Sequence, residues 1–133
     1  MKIKLDDSKP IYLQIAEGIE DDILNGFLEE ESQVMSTTQF SEIYGINPAT
    51  SRKGMNILVE EGILYKKRGI GMFVKSGALE YIKNKRRKRF FEDYILETLK
   101  EGKKLELSKE DIINMIKDYK EWDYEVEIIQ TAH

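Results

Sequence analysis

Residues 47–53 read Asn-Pro-Ala-Thr-Ser-Arg-Lys, and three of them carry chemistry suited to a polyanion. The planar fork of Arg52 can bond guanine O6 and N7 together. Thr50 can meet a phosphate or a thymine methyl, and Lys53 a phosphate. A second basic group, Lys66-Lys67-Arg68-Gly69, precedes a short β-prone run, and Gly69 permits a close backbone approach. In a third group, residues 83–89, every residue but Asn84 is Lys or Arg. This block could extend a contact to flanking phosphates or simply be the solvated face of a helix. Like charges at i,i+4 spacing strain such a helix unless a counter-charge relieves them.

Catalytic constellations are missing from the sequence. Its single histidine is the terminal His133 and there is no cysteine, so neither a Ser/His/Asp arrangement nor three nitrogen or sulfur metal ligands can be assembled. Adjacent acids such as Asp21-Asp22 point in different directions on a helix and make no matched acid and base. No catalytic residue, metal or cofactor is expected, and an enzyme is disfavoured.

The formal net charge of -4 counts against a phosphate-rich partner, but the charges are segregated. Residues 11–31 hold Glu17, Glu20, Asp21, Asp22, Glu29, Glu30 and Glu31 with no Lys or Arg, whereas residues 52–75 carry Arg52, Lys53, Lys66, Lys67, Arg68 and Lys75 against only Glu60 and Glu61. The 133 residues suit one small domain with an appendage. No apolar run approaches the ~20 residues a bilayer requires, and MKIKLDDSKP lacks the apolar core of a secretory signal. A cytoplasmic location without membrane contact is expected.

The elements that must position the basic residues are legible. Pro10 can open a helix, and Ile11, Ile15, Ile19 and Ile23 recur on one face over roughly 10–25 before Asn25-Gly26. Ser36 and Gln39 form a capping box for a short helix to about Tyr44, and Gly45 turns the chain. Asn47 as N-cap and Pro48 at the first turn start a third helix, which Gly62 stops. Two helices joined by about three residues around a glycine mark a helix-turn-helix. On the third helix Ser51, Met55, Leu58 and Gly62 mark the inner side, so Ala49, Thr50, Arg52, Lys53 and Asn56 face away. A hairpin follows, Ile63–Lys67 and Met72–Lys75 around Arg68-Gly69-Ile70-Gly71.

Ser76-Gly77 is the expected boundary. Beyond it a helix is expected over about 79–101, ended by Gly102, with Leu79, Ile82, Phe90, Phe91, Tyr94, Ile95 and Leu99 as apolar positions. Ser108 and Asp111 cap a last helix bearing Ile112, Ile113, Ile116, Tyr119 and Val126. The aromatic group Phe90, Phe91, Tyr94, Tyr119, Trp122 and Tyr124 suits dimer packing better than a small-molecule pocket, because two helices alone bury little surface.

Five segments occur in the order and spacing of the GntR winged-helix domain. They are Pro10-Ile11-Tyr12-Leu13-Gln14-Ile15, Gly26-Phe27-Leu28, Gly45-Ile46-Asn47-Pro48-Ala49-Thr50, Glu61-Gly62-Ile63-Leu64 and Gly69-Ile70-Gly71-Met72-Phe73-Val74. The resemblance covers residues 9–75. The remainder, about 56 residues in two helices, is similar to the YtrA-type subfamily, whose short tail serves dimerisation. The resemblance implies a mainly α fold with a small β-hairpin wing: a winged helix-turn-helix over 1–77 and a two-helix dimerisation tail over 78–133. It further implies a dimeric repressor on double-stranded DNA that reads an inverted repeat, with any small-molecule effector unknown. The DNA-facing set becomes Ser36, Thr38, Asn47, Ala49, Thr50, Arg52, Lys53, Arg68 and Gly69. The dimer set is Phe90, Phe91, Tyr94, Ile95, Ile112, Ile116 and Tyr119.

Three departures accompany the resemblance. Val34-Met35-Ser36-Thr37-Thr38 stands where the family has Leu-Pro-Ser-x-Arg, so the family's DNA-contacting arginine falls on Thr38. Ser51 replaces an apolar residue. Gly54-Met55 replaces a small-aromatic pair, and Gly54 inside a helix costs about 0.8–1 kcal/mol relative to Ala. A loosened reading helix is therefore expected, and the alternative function is a winged-helix protein-interaction module with weak or lost DNA binding.

Overall fold

Helix α1 (Ile11–Leu24) begins behind Pro10 and sends Ile15, Ile19 and Ile23 inward, as the four-residue spacing demands. The computed structural model describes residues 4–120. Helix α2 (Thr37–Tyr44) starts on the complete Ser36–Gln39 capping box and ends at Gly45, whose φ of 64° is left-handed. Helix α3 (Pro48–Glu60) has Asn47 as N-cap, its side chain accepting from the Ala49 N–H at 2.8 Å. Strands β1 (Leu64–Lys67) and β2 (Gly71–Val74) pair antiparallel, Leu64 opposite Val74 and Lys67 opposite Gly71. Helix α4 (Ala78–Phe90) leads into a π turn (Phe91–Ile95), then α5 (Leu96–Lys104) and α6 (Lys109–Asp118).

The chain divides into two compact units, up to Lys85 and from Arg86 onward. The core of the first is Ile15, Ile19, Phe40, Met55, Leu58, Ile63, Leu64, Val74, Ala78 and Ile82. The expected boundary at Ser76-Gly77 therefore falls short, because the first turns of α4 belong to this core. Three ties hold them there. Ala78 and Ile82 are buried. The Gly77 and Leu79 N–H groups donate to the Glu30 carboxylate at 2.9 and 3.1 Å, which holds that carboxyl below the usual range. Lys85 donates to Glu20 of α1 at 2.7 Å and to Glu61, the C-cap of α3, at 2.8 Å. Burial pulls the Lys85 ammonium down, but these two carboxylates outweigh it and raise its pKa. Lys85 is thus engaged inside this unit and departs from both readings of the 83–89 block, while Arg87, Lys88 and Arg89 of the same block are exposed.

Two glycines behave differently from expectation. Gly102 does not end its helix; α5 continues to Lys104 with Gly102 buried inside. A Cβ on Gly102 would lie 2.7 Å from Ile112 Cδ1, so the missing side chain leaves room for the end of the Ile112 side chain. Gly54 does not loosen α3. A Cβ there would lie 2.6 Å from the Tyr12 carbonyl and 3.1 Å from the Ile15 side chain. Its absence lets α1 and α3 pack backbone to side chain, a gain in contact that helix propensity alone does not register.

The second departure is also accounted for. Ser51 is fully buried, and its hydroxyl shares a 3.0 Å hydrogen bond with Ser41 of α2. A buried hydroxyl needs such a partner. The Ser41–Ser51 pair fastens the two helices of the helix-turn-helix where the family uses apolar contact.

Candidate nucleic-acid interface

The turn between α2 and α3 sets the angle at which α3 leaves the core. Gly45 supplies the left-handed residue, and Ile46 returns its N–H to the Ser41 carbonyl at 3.0 Å. Ser51, Gly54, Met55 and Leu58 are buried on the inner face of α3. Ala49, Arg52 and Lys53 are exposed on the outer face, with Thr50 half-buried beside them. An open groove along this face is lined by Ala49, Arg52, Lys53, Asn56, Ile57 and Glu60. Lys53 is not a freely swinging charge. Its ammonium lies 4.0 Å from the centroid of the Tyr12 ring, a cation–π contact that steadies it over α1.

The remaining DNA-facing candidates occupy the rim. Thr38 is exposed in the first turn of α2. Ser36 and Asn47 spend their side-chain oxygens on capping, accepting from Gln39 and Ala49. Their side-chain acceptors are thus already engaged within the protein. Arg68 and Gly69 are exposed in the wing turn, and the φ of 79° at Gly69 is one that a side chain rarely adopts.

Sequence reasoning missed a third strand-like segment beneath the wing. Residues 31–34 lie against β2: the Glu31 N–H donates to the Val74 carbonyl at 2.7 Å, the Val34 N–H to Met72 at 2.8 Å, and the Val74 N–H to Ser32 at 3.0 Å. Gln33 bridges Phe73. Glu31, at a left-handed φ of 68°, also accepts from the Tyr65 hydroxyl at 2.5 Å. The signal was faint, since Glu-Ser-Gln-Val is too short and polar to display a strand period. Tyr65 and Phe73 stack across the hairpin, and the Lys67 ammonium sits 4.3 Å from the Phe73 ring.

In the second unit Phe90, Phe91, Tyr94, Ile116 and Tyr119 are all half or more exposed, Ile95 is 37% exposed and Ile112 is half-buried. The Phe90 and Tyr94 rings meet at 5.5 Å. Trp122, Tyr124 and Val126 lie outside the described residues, as do the acidic stretch 123–127 and His133. No described helix is long and apolar enough to cross a membrane.

No family model matches the chain. Solved structures do. A GntR family transcriptional regulator from Listeria monocytogenes is 31% identical, superposes with a TM-score of 0.72, and is matched over its entire length by 87% of this chain. The chain belongs to the GntR family. YtrA from Sulfolobus acidocaldarius, a GntR-family transcription factor, is 26% identical with a TM-score of 0.56, covering 88% of this chain and 93% of YtrA. That match extends beyond the winged helix, covering 88% of this chain. Among curated proteins, the transcriptional repressor NagR of Bacillus subtilis is 36% identical over 80 residues, 60% of this chain. The chain spans about a third of the length of the curated relatives it matches first, 33% of NagR and 30% of YurK.

Proposed function

We propose that this chain is a sequence-specific, double-stranded-DNA-binding transcription regulator, a cytoplasmic dimeric repressor of an inverted repeat and not an enzyme. One observation carries the reading: Ala49, Thr50, Arg52 and Lys53 form an outward face at the start of α3, with the basic hairpin turn as the other exposed projection of the same unit. The N-terminal residues of a recognition helix meet base edges in the major groove. Arg52 reads a guanine, Lys53 and Thr50 position the backbone, and Arg68 with Gly69 approaches the minor groove or a phosphate.

Arg52→Ala is expected to cost about 1–3 kcal/mol on a duplex selected from a random pool and to flatten base preference at one position of each half-site. Lys53→Ala is expected to weaken all duplexes alike. Fluorescence anisotropy at several salt concentrations measures both. An Arg52→Ala variant with unchanged base preference rules out this placement of α3.

Thr38, short and neutral where the family has an arginine, supports the second reading, a protein-interaction module. The two readings part on salt. DNA binding must weaken with a slope near -0.9 per phosphate neutralised, whereas no salt-dependent binding to any duplex favours the module.

The exposed apolar residues of the second unit support dimerisation through Phe90, Phe91, Tyr94, Ile95, Ile112, Ile116 and Tyr119. Sedimentation equilibrium of the full chain at micromolar concentration is expected to give twice the 15.6 kDa of one chain. A monomer at that concentration refutes the dimer.

A further inference from the structure

The wing turn is braced from outside the helix-turn-helix. Gln33, in the segment beneath the hairpin, reaches across to the turn, where its Nε2 donates to the Ile70 carbonyl at 3.1 Å. The same amide nitrogen occupies the place a side chain on residue 71 would take, since a Cβ on Gly71 would stand 2.7 Å from it. Gly71 has a φ of 145°, in the region that favours glycine. Gln33 and Gly71 therefore fit each other: the glycine opens the space and the amide fills it.

What the brace holds is unusual for a turn between basic residues. Ile70 is 63% exposed and follows Arg68-Gly69 at the tip. β-branched residues favour strands, and turns take Gly, Asn, Asp, Pro or Ser. The Ile70 N–H is bonded to the Lys67 carbonyl at 3.0 Å, so the backbone on both sides of its side chain is fixed. An apolar side chain on a pre-set backbone, preceded by Lys66, Lys67 and Arg68, has the chemistry of a minor-groove wedge: cations for the phosphate rails and a hydrocarbon for the floor.

We propose that Gln33 is a positioning residue that sets the wing tip, and that Ile70 at the tip senses the minor-groove floor of the sequence flanking each half-site. This rests on the DNA-binding reading above. The partner at this point is an A·T-rich flank, whose floor lacks the exocyclic amine of guanine. Ile70 makes no hydrogen bond with its side chain and so discriminates by shape: it fits a floor without the amine and is lifted by one that has it.

Inosine separates the minor groove from the major. An inosine·cytosine pair keeps the major-groove pattern of G·C and, lacking the exocyclic amine, shows an A·T-like minor groove. The probes are wild-type-selected duplexes whose flanking A·T pairs are replaced by either inosine·cytosine or guanine·cytosine. Wild type is expected to bind the inosine duplex like the parent and the guanine duplex about tenfold more weakly. In Ile70→Ser and Gln33→Ala the two duplexes should bind alike. Arg52→Ala, which acts in the major groove, should weaken both but keep their ratio.

Gln33→Glu serves as a second variant, of equal size, that puts a carboxylate against the Ile70 carbonyl and should also erase the ratio. Gln33 is exposed, and thermal melting of each variant reports whether the fold is intact. If wild type fails to distinguish the two duplexes, or if both Gln33 variants keep the wild-type ratio, the proposal is wrong while DNA binding stands. Should wild type bind no duplex in a salt-dependent way, both readings fall together.

Discussion

Lys85→Met is expected to destabilise the winged-helix unit by about 3 kcal/mol. The substitution keeps most of the side chain's length and removes only the charge that answers Glu20 and Glu61. Glu20 exposes 6% of its side chain and Lys85 21%, so this is an inner pair, while Glu61 at 31% is wetter. Removing one member of a buried ion pair costs about 3–5 kcal/mol; the partial exposure of Lys85 places this one at the low end. The cost should shrink when Glu20 is replaced as well, because taking away both partners of a buried contact strands neither. The pH dependence has a definite sign. The folded state raises the Lys85 pKa. Its contribution is then fully present below the unfolded lysine value of about 10.4 and is lost as pH rises through the folded value. The gap between wild type and variant should stay constant through neutral pH and narrow only in strong alkali. Urea unfolding of the full chain at several pH values measures it. A loss under about 0.5 kcal/mol, the size of an exposed pair, would mean that water already screens the triad.

Gly54→Ala is expected to destabilise the protein by about 1–3 kcal/mol, the cost of overpacking a filled interior. Helix propensity predicts the opposite, a gain of about 0.8–1 kcal/mol. Packing prevails because the obstacle is the backbone carbonyl of Tyr12, which cannot retreat without α1. The displacement would reach Lys53 as well, whose ammonium rests on the Tyr12 ring, so DNA affinity should fall together with stability. Gly102→Ala provides the contrast. There the obstacle is the terminal methyl of Ile112, which can rotate aside, so the change should stay within about 0.5 kcal/mol. Melting temperatures of the two variants decide the matter, and a Gly54→Ala protein as stable as wild type would contradict the packing described for α1 and α3.

The parts of the fold legible in advance were those written in local chemistry. Ser36 with Gln39, Gly45, Asn47 with Pro48, and Ser108 with Asp111 each state a helix end within a few residues, and each stands where expected. Ile15, Ile19 and Ile23 declare an inner face by period alone. The unread parts depend on distant partners. Nothing around Gly54 or Gly102 reveals the segment that fills the space over it. Lys85 looks like its neighbours until Glu20 and Glu61, distant in sequence, are seen beside it. Gln33 was invisible for the same reason, since its partner Ile70 lies beyond two helices and a strand. For the candidate site, the outward face of α3 followed from the buried positions opposite it, whereas the anchoring of Lys53 on Tyr12 could not.

The π turn at Phe91–Ile95 has a consequence for how such tails diverge. A π turn holds one residue more than an α turn. A chain one residue shorter there would close as ordinary helix, and because the wide turn and the ordinary one sweep nearly the same angle, the residues after it would keep their facing. If the tail pairs with its own copy as proposed, two duplicated regulators that differ by that one residue could still recognise each other. A single-codon deletion inside α5 instead would turn the rest of that helix by about 100° and could insulate one circuit from its sibling, without altering any residue of the contact itself.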